Sequence, residues 1–551
     1  MAAKALWVSL SILRIGWCLL PQSGYLHPDE FFQSPEVMAG DILNLDINRP
    51  WEFLPTSPCR TVVTPLLTSG AAFWIVNLLH HLDFRVTLKC SYILLVLPRL
   101  ITTLLSFMLD YTVYHIAPAW GAKQWNAMVL LAGSYVTIVF YTRTLSNALE
   151  GIFLAAILLL TSPDQNSKAK YHHAIGIILV AGFFNRPTFA AFALIPILCW
   201  AGKTKKPHFC CQLFVTNVLK LLPSSLSTSV IFIAADTLWY KGWSTLPINS
   251  TQTFFGQIAQ RTVFTPLNFL RYNLNPDNLA QHGSHPPVTH LLVNGVILFG
   301  VFHVSLVITG IKVLKSLIFK SFPQTQCKEN IHDIPQQNSL LLLYYFVPIA
   351  LLSLFSHQEP RFLIPLLLPL VLLVSDCCRS RKMTCVVVLF NLLGTFLFGS
   401  LQQGGLIPSL IHMQQMVQST SDQSSSVSHY TILFTHTYMP PKYLLCLQKG
   451  QAHVDIIDLA GFRKAQLCQK IKEIKTDISH KNSAPARETK HHFVVVFPGT
   501  IADVVKNCGL VYKGVAVFTP HLSIEDPPNL THVLHGNIKN YLSLHVTELE
   551  V

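Results

Sequence analysis

Charge is what this sequence has least of. Only 12% of its 551 residues are charged, where a soluble globular protein carries about 25%. So thin a supply cannot clothe a water-facing surface. With 51% hydrophobic residues, the excess apolar area must be solvated by lipid. Acidic residues are scarcer than basic ones, 27 against 40, for a net charge of +13. The basic residues fall in short clusters beside apolar runs, not along one amphipathic face with interleaved aromatics, which excludes a nucleic-acid partner. No C-x-x-C pair with zinc-like spacing is present, and many of the 13 cysteines lie inside apolar runs, so the cysteines establish neither a disulfide framework nor a metal site. No Asp-x-Asp occurs to hold a divalent ion beside a nucleotide sugar, no internal repeat of the transporter kind is visible, and the closing Glu548-Leu549-Glu550-Val551 is unlike a Lys-Asp-Glu-Leu retention signal.

What is abundant is apolar sequence in span-sized pieces. Ala5–Leu20 reads as an uncleaved anchor, since only Ser23-Gly24 offers the small residues of a cleavage site. Further runs lie near 92–115, 126–141, 145–161, 172–184, 187–200, 209–235, 290–311, 339–355, 362–376 and 384–400, giving an α-helical polytopic membrane protein of about eleven spans. Val62–Leu79 is apolar too, but Pro65, Gly70 and Asn77 mark it as interfacial or re-entrant. The positive-inside rule supports this count. Lys4, Lys123, Lys168, Lys170, Lys203, Lys205, Lys206, Lys312, Lys315, Lys320, Lys328, Arg379, Arg381 and Lys382 gather on one side. The opposite side holds short links with single arginines, Arg143, Arg186 and Arg361, the long loops 21–91 and 236–289, and the sequons Asn249-Ser250-Thr251 and Asn529-Leu530-Thr531.

Residues 1–400 therefore form the membrane domain, and 401–551 a small α/β domain on the non-cytosolic side. In that tail, β-rich Tyr430–Phe434, Val454–Leu459 and Phe493–Phe497 alternate with helix-like Ile501–Cys508, stopped by Gly509. Pairing among Cys446, Cys468 and Cys508 is left open.

Ionisable groups within apolar runs are expensive and tend to be paired or functional. Arg14, Asp110 and Asp236 are such groups, and Arg14 with Asp110 is the expected pair. The first loop carries Gly24-Tyr25-Leu26-His27-Pro28-Asp29-Glu30-Phe31-Phe32-Gln33 and then Arg49-Pro50-Trp51-Glu52-Phe53 to Cys59-Arg60. Pro28 disfavours helix at His27 and so places Asp29 at the start of a following helix. There a carboxylate either caps the helix or serves as an acid held near lipid, and the residues alone leave both open.

The His-Pro-Asp-Glu segment resembles the first lumenal loop of the dolichol-phosphate-mannose-dependent mannosyltransferases that build glycosylphosphatidylinositol (GPI) anchors and N-glycan precursors, glycosyltransferase family 22. Glu30–Val37 and Pro50-Trp51-Glu52-Phe53 are most similar to the members that add the fourth GPI mannose. Phe184–Phe189, Ala235–Tyr240, Thr265–Asn273, His282–Pro286 and His357–Phe362 also match, in order, as does His436-Thr437-Tyr438-Met439-Pro440-Pro441 in the tail.

The resemblance implies a GT-C glycosyltransferase fold and an endoplasmic-reticulum membrane enzyme with a lumenal active site. Its partners would be dolichol-phosphate-mannose, a GPI-precursor glycolipid and the membrane. It would transfer an α1,2-linked mannose to the third mannose of the precursor, with inversion. A lipid-phosphate donor needs no metal, so no cofactor is expected. Inversion needs a base for the acceptor hydroxyl and a site for the departing phosphate. Asp29 is the base on this resemblance, with Glu30 as orienting partner or alternative base and His27 bonding base or phosphate. Arg361, with His357 and Glu359, would meet the phosphate, helped by Arg186. Arg271, Asn273, His282 and His285 would line the cleft, and Trp51, Glu52 and Arg60 would contact the acceptor. A sister activity, adding the third GPI mannose or an N-glycan mannose, is the near alternative. A lipid or solute transporter and a non-catalytic subunit are the distant ones.

Overall fold

A computed structural model describes residues 1–20, 22–82, 90–162, 171–202, 210–242, 262–281, 283–320, 336–377, 380–423, 428–450, 453–482, 490–528 and 538–550. Both sequons, His282, Arg379 and the cluster lysines 168, 170, 203, 205, 206 and 328 lie outside them. Every apolar run is helical. Five helices are long and apolar enough to cross a membrane among the described residues: Ala2–Leu19, Val63–His81, Ser91–Ile116, Cys211–Lys241 and Arg381–Leu401. Shorter apolar helices include Ser146–Leu160, His172–Asn185, Phe189–Gly202, His290–Phe299, Ser339–Leu352 and Pro360–Leu373. Breaks fall where local chemistry puts them. Gly300 adopts φ +53°, a left-handed conformation costly for other residues, between His290–Phe299 and Val301–Lys320.

Lipid as solvent is visible in what stays outside. Val215, Leu219, Leu222, Leu226, Val230 and Ile231 are exposed along Cys211–Lys241, and Val388, Leu389, Leu392 and Leu393 along Arg381–Leu401, a pattern that water would not tolerate. The segment read as interfacial or re-entrant at 62–79 is helical over Val63–His81, long and apolar enough to cross a membrane. Pro65 sits in its first turn, where the missing N–H breaks no bond, followed by a π-helical turn at Leu66–Gly70. The Tyr92 hydroxyl donates to the Leu19 carbonyl at 2.7 Å, so the start of Ser91–Ile116 lies level with the end of Ala2–Leu19.

The chain forms two compact units, each described by itself. The first comprises residues 1–16, 51–67 and 102–392. Here Arg14 and Asp110 pair with two parallel bonds, of 2.7 and 3.1 Å, as expected from the sequence. Trp7 donates to the same carboxylate at 2.8 Å, and the Arg14 guanidinium lies 4.5 Å from the Phe107 ring centre. Either single reversal, Arg14→Asp or Asp110→Arg, should cost most of the folded protein, because removing one member of a buried pair costs about 3–5 kcal/mol. The double reversal should recover part of it in size-exclusion profiles of extracted protein, but not all, since Trp7 then loses its acceptor.

The second unit comprises residues 17–50, 68–101 and 393–551. Its sheet has strands β1 (Ser428–Phe434), β2 (His453–Asp458), β3 (Lys490–Pro498), β4 (Tyr512–Phe518) and β5 (Leu544–Leu549), in the order β2-β1-β3-β5-β4. β1 is parallel to both β2 and β3, whereas β5 is antiparallel to β3 and β4. The first three strands fall on the three β-rich runs of the sequence. Lys464–Asn482 packs Leu467, Ile471, Ile474 and Ile478, at helical spacing, on Leu433, Phe493, Val495 and Phe497. Cys468 and Cys508 form a disulfide, and Cys446 is a buried free thiol.

Candidate active site

In the second unit, the one-turn helix Asp29–Phe32 begins directly after Pro28. Pro28 occupies the cap position and makes no capping bond, so Asp29 stands at the first helical position and not at the cap. Its N–H donates to His27 Nδ1 at 3.1 Å, and Gln33, one turn on, donates its side-chain amide to Asp29 Oδ2. The Asp29 and His27 side chains remain 23% and 28% exposed, enough to meet a substrate.

Glu30 goes the opposite way, because successive helical residues are about 100° apart. It is wholly buried and accepts from Arg99 at 2.9 Å (Nε) and 2.6 Å (Nη2), while Arg99 Nη1 donates to the Gln22 carbonyl at 3.1 Å. Of the two roles expected of Glu30, orienting partner and base, this placement suits the first.

The surroundings of His27 are aromatic and draw on the tail. Tyr25 packs edge-on against Phe31 and Tyr438, with ring centres 4.8 and 5.6 Å apart, and donates to the Met439 carbonyl at 2.8 Å. His27 lies 6.2 Å from the Tyr438 ring. Two further ties hold the loop to the tail: Lys442 pairs with Asp46 at 2.7 Å, and Glu36, fully buried, accepts the N–H groups of Asn48 (2.8 Å) and Tyr443 (3.3 Å). Burial pushes the Glu36 carboxyl up to about 8, against the opposing pull of those N–H donors and of Lys442. A carboxyl raised on folding gains its proton in the folded state, so its contribution is fully present below about pH 4.5 and is lost as pH rises toward 8. The melting temperature of the extracted protein should therefore fall between pH 6 and 8.5, and Glu36→Gln should flatten that slope.

In the first unit, the link before the 3₁₀ helix Pro360–Leu366 carries His357, Gln358 and Glu359. Glu359 accepts from His357 Nε2 at 2.7 Å and forms a two-pronged pair with Arg361. Gln358 accepts the His290 N–H at 3.0 Å, and the His285 and His357 rings are 6.1 Å apart. The residues expected at the phosphate, His357, Glu359 and Arg361, thus lie together, and of those expected to line the cleft His285 lies beside them. Arg186 joins them: its guanidinium is 5.2 Å from the Phe362 ring centre, and that of Arg361 is 5.3 Å from the same ring. Arg186 is steadied by Ser146 (3.0 Å) and by buried Glu150 at 3.7 Å, whose other oxygen accepts from Thr188 at 2.7 Å. Two guanidiniums thus lie near one ring, each beside a carboxylate, and a guanidinium fork is chemically suited to phosphate oxygens.

A third group, also in the first unit, joins Trp51 and Tyr272 (ring centres 4.4 Å apart) to the Glu52–Arg60 pair (2.9 Å), with Arg60 4.9 Å from the Phe269 ring. Trp51 is 38% exposed, as a sugar-stacking or interfacial residue must be. Arg271 is exposed, and the Asn273 amide donates to the Phe269 carbonyl (2.8 Å), so neither joins this group through these contacts. Buried Asp236 accepts from Thr61 (2.9 Å), the Val62 N–H (2.9 Å) and Thr265 (2.8 Å), clamping the first loop and the second to the end of Cys211–Lys241.

Arg99, Glu150, Glu36 and Tyr438 were not singled out from sequence. Arg99 and Glu150 are lone charges inside apolar runs, the same signal that flagged Arg14 and Asp110, and even use of it would have found them. Glu36 and Tyr438 carry no such signal, since each is defined by a contact distant in sequence.

The sequence pattern of the Alg9-like mannosyltransferase family matches residues 5–446. Human GPI alpha-1,2-mannosyltransferase 4 is 45% identical, with 100% of this chain and 94% of that protein covered. GPI mannosyltransferase 4 of Aspergillus oryzae is 30% identical over 89% of this chain and 86% of its own length. Among solved structures, ArnT from Cupriavidus metallidurans bound to undecaprenyl phosphate aligns with 99% of this chain and 97% of its own at 9% identity, with a TM-score of 0.41.

Proposed function

The chain belongs to the Alg9-like mannosyltransferase family, and on that footing we propose that it transfers mannose from dolichol-phosphate-mannose, α1,2-linked, to the third mannose of a GPI precursor. It is a glycosyltransferase, with the GT-C architecture expected for these enzymes. The observation that carries the specific activity is the 45% identity, over the whole chain, to a relative named for α1,2 transfer as the fourth GPI mannosyltransferase. Neither a sister activity nor a transporter has comparable support.

The chemistry follows from the residues. The donor is β-linked and the product α-linked, so one displacement inverts C1. Asp29 takes the acceptor proton as the hydroxyl oxygen bonds C1, and the bond from C1 to the phosphate oxygen breaks. The phosphate leaves with the electron pair, and Arg361 and Arg186 pair its growing charge. No divalent ion enters this step. The reaction takes place on the lumenal side of the endoplasmic-reticulum membrane. The Cys468–Cys508 disulfide supports that side, since disulfides persist in oxidising compartments.

The test is transfer from labelled dolichol-phosphate-mannose in microsomes supplied with three-mannose GPI, two-mannose GPI or an N-glycan precursor. Label on the first alone, released by an α1,2-mannosidase, is expected; label on another acceptor would overturn the assignment. Arg361→Lys keeps the charge but loses the fork, and should raise KM for the donor about 10–100-fold, the value of one or two charge-assisted bonds.

A further inference from the structure

We propose that the end of the tail sheet where β1, β2 and β3 begin is a binding site for a divalent transition-metal ion, built from His429, His453 and Asp455, with His491 adjoining. The strand register makes it. His429 on β1 lies directly opposite His453 on β2 and His491 on β3, and all three strands run parallel. Opposite residues in such a ladder project from the same face, on strands about 4.8 Å apart. The three imidazoles therefore stand in a row, with the His453 and His491 ring centres 5.3 and 4.9 Å from that of His429. Asp455, two residues beyond His453, returns to the same face, and its Oδ2 lies 3.0 Å from His429 Nε2. One ligand atom from each of His429, His453 and Asp455 lies within 4.8 Å of the others.

Tetrahedral zinc, with bonds of about 2.0–2.1 Å, holds its ligand atoms about 3.4 Å apart. Side-chain rotation closes the difference, and nothing opposes it, because His453 and Asp455 are exposed and His429 half-buried. Imidazole with one carboxylate selects zinc, nickel or copper(II). The cluster has no thiolate to favour copper(I), nor the oxygen-only shell that calcium or magnesium prefers. The ion's task would be structural. β2 is an edge strand, bonded to β1 alone in the sheet order, and an ion shared by His453, Asp455 and His429 fastens it at its N-terminal end. None of these four residues is among those assigned to transfer.

The experiment uses the full-length protein in detergent, stripped by a chelator, dialysed against zinc and assayed for bound metal. The native chain is expected to hold one more equivalent of zinc than His453→Ala or Asp455→Asn, while His80→Ala, elsewhere in the chain, matches the native chain. Zinc should also raise the native melting temperature in a concentration-dependent way, an effect lost in both variants. Both substitutions are at exposed positions, so folding survives them, and the intact disulfide checks this. Equal stoichiometry in native and variant proteins, or binding weaker than about 10⁻⁴ M in both, would mean an adventitious ion only and would overturn the proposal.

Discussion

Asp29→Asn is expected to lower the turnover of mannose transfer by about 10²–10⁴-fold, the range a positioned general base supplies, with the amount and extractability of the protein unchanged. The reason is local. Asn keeps an oxygen to accept from Gln33 and leaves the Asp29 N–H on His27, so the one-turn helix after Pro28 keeps these bonds while the basic carboxylate is lost. The measurement is initial rate in microsomes from cells lacking the endogenous activity, normalised to immunodetected protein. Equal rates for native and variant chains would discard Asp29 as the base.

Glu30→Gln, one residue on, is expected to fail in a different manner. Its carboxylate is buried and gives one oxygen to two nitrogens of Arg99, so the amide can still accept a hydrogen bond but removes the negative charge that faces the buried guanidinium. Removing one partner of such a pair costs about 3–5 kcal/mol, a large part of the stability of a typical domain. The monodisperse fraction after extraction should fall steeply. The double variant Glu30→Gln with Arg99→Met should restore most of it, because the stranded charge is then gone. Transfer by the restored protein should exceed that of Asp29→Asn. If it does not, Glu30 takes part in the chemistry and not only in placing it.

These adjacent carboxylates show how far a sequence can be read. His-Pro-Asp-Glu announced a site, and Pro28 announced a helix start, because proline acts on its immediate neighbours. That Glu30 is the buried one of the two was not legible from the residues, since its partner, Arg99, is 69 residues away. The arginine cluster was half legible. Glu359 and Arg361 are two residues apart and their pairing could be anticipated, whereas the meeting of Arg186 and Arg361 over Phe362 depends on how separate helices pack. The tail gave up β1, β2 and β3 as apolar runs. Its hold on the first loop through Tyr438 and Glu36 was invisible, the Glu36 bond to Tyr443 spanning 407 residues.

The sequence by itself determined the solvent, the helices and the family. Each depends on composition, on periodicity over a few turns, or on a short ordered motif, and these are properties of neighbouring residues. Only the tertiary structure decided which buried charges are partners, which carboxylate stays open, and that three histidines from three strands share one face. A buried charge must find its counter-charge wherever the chain brings one within about 3–4 Å, and that distance is set by packing across the whole fold and not by spacing along the chain.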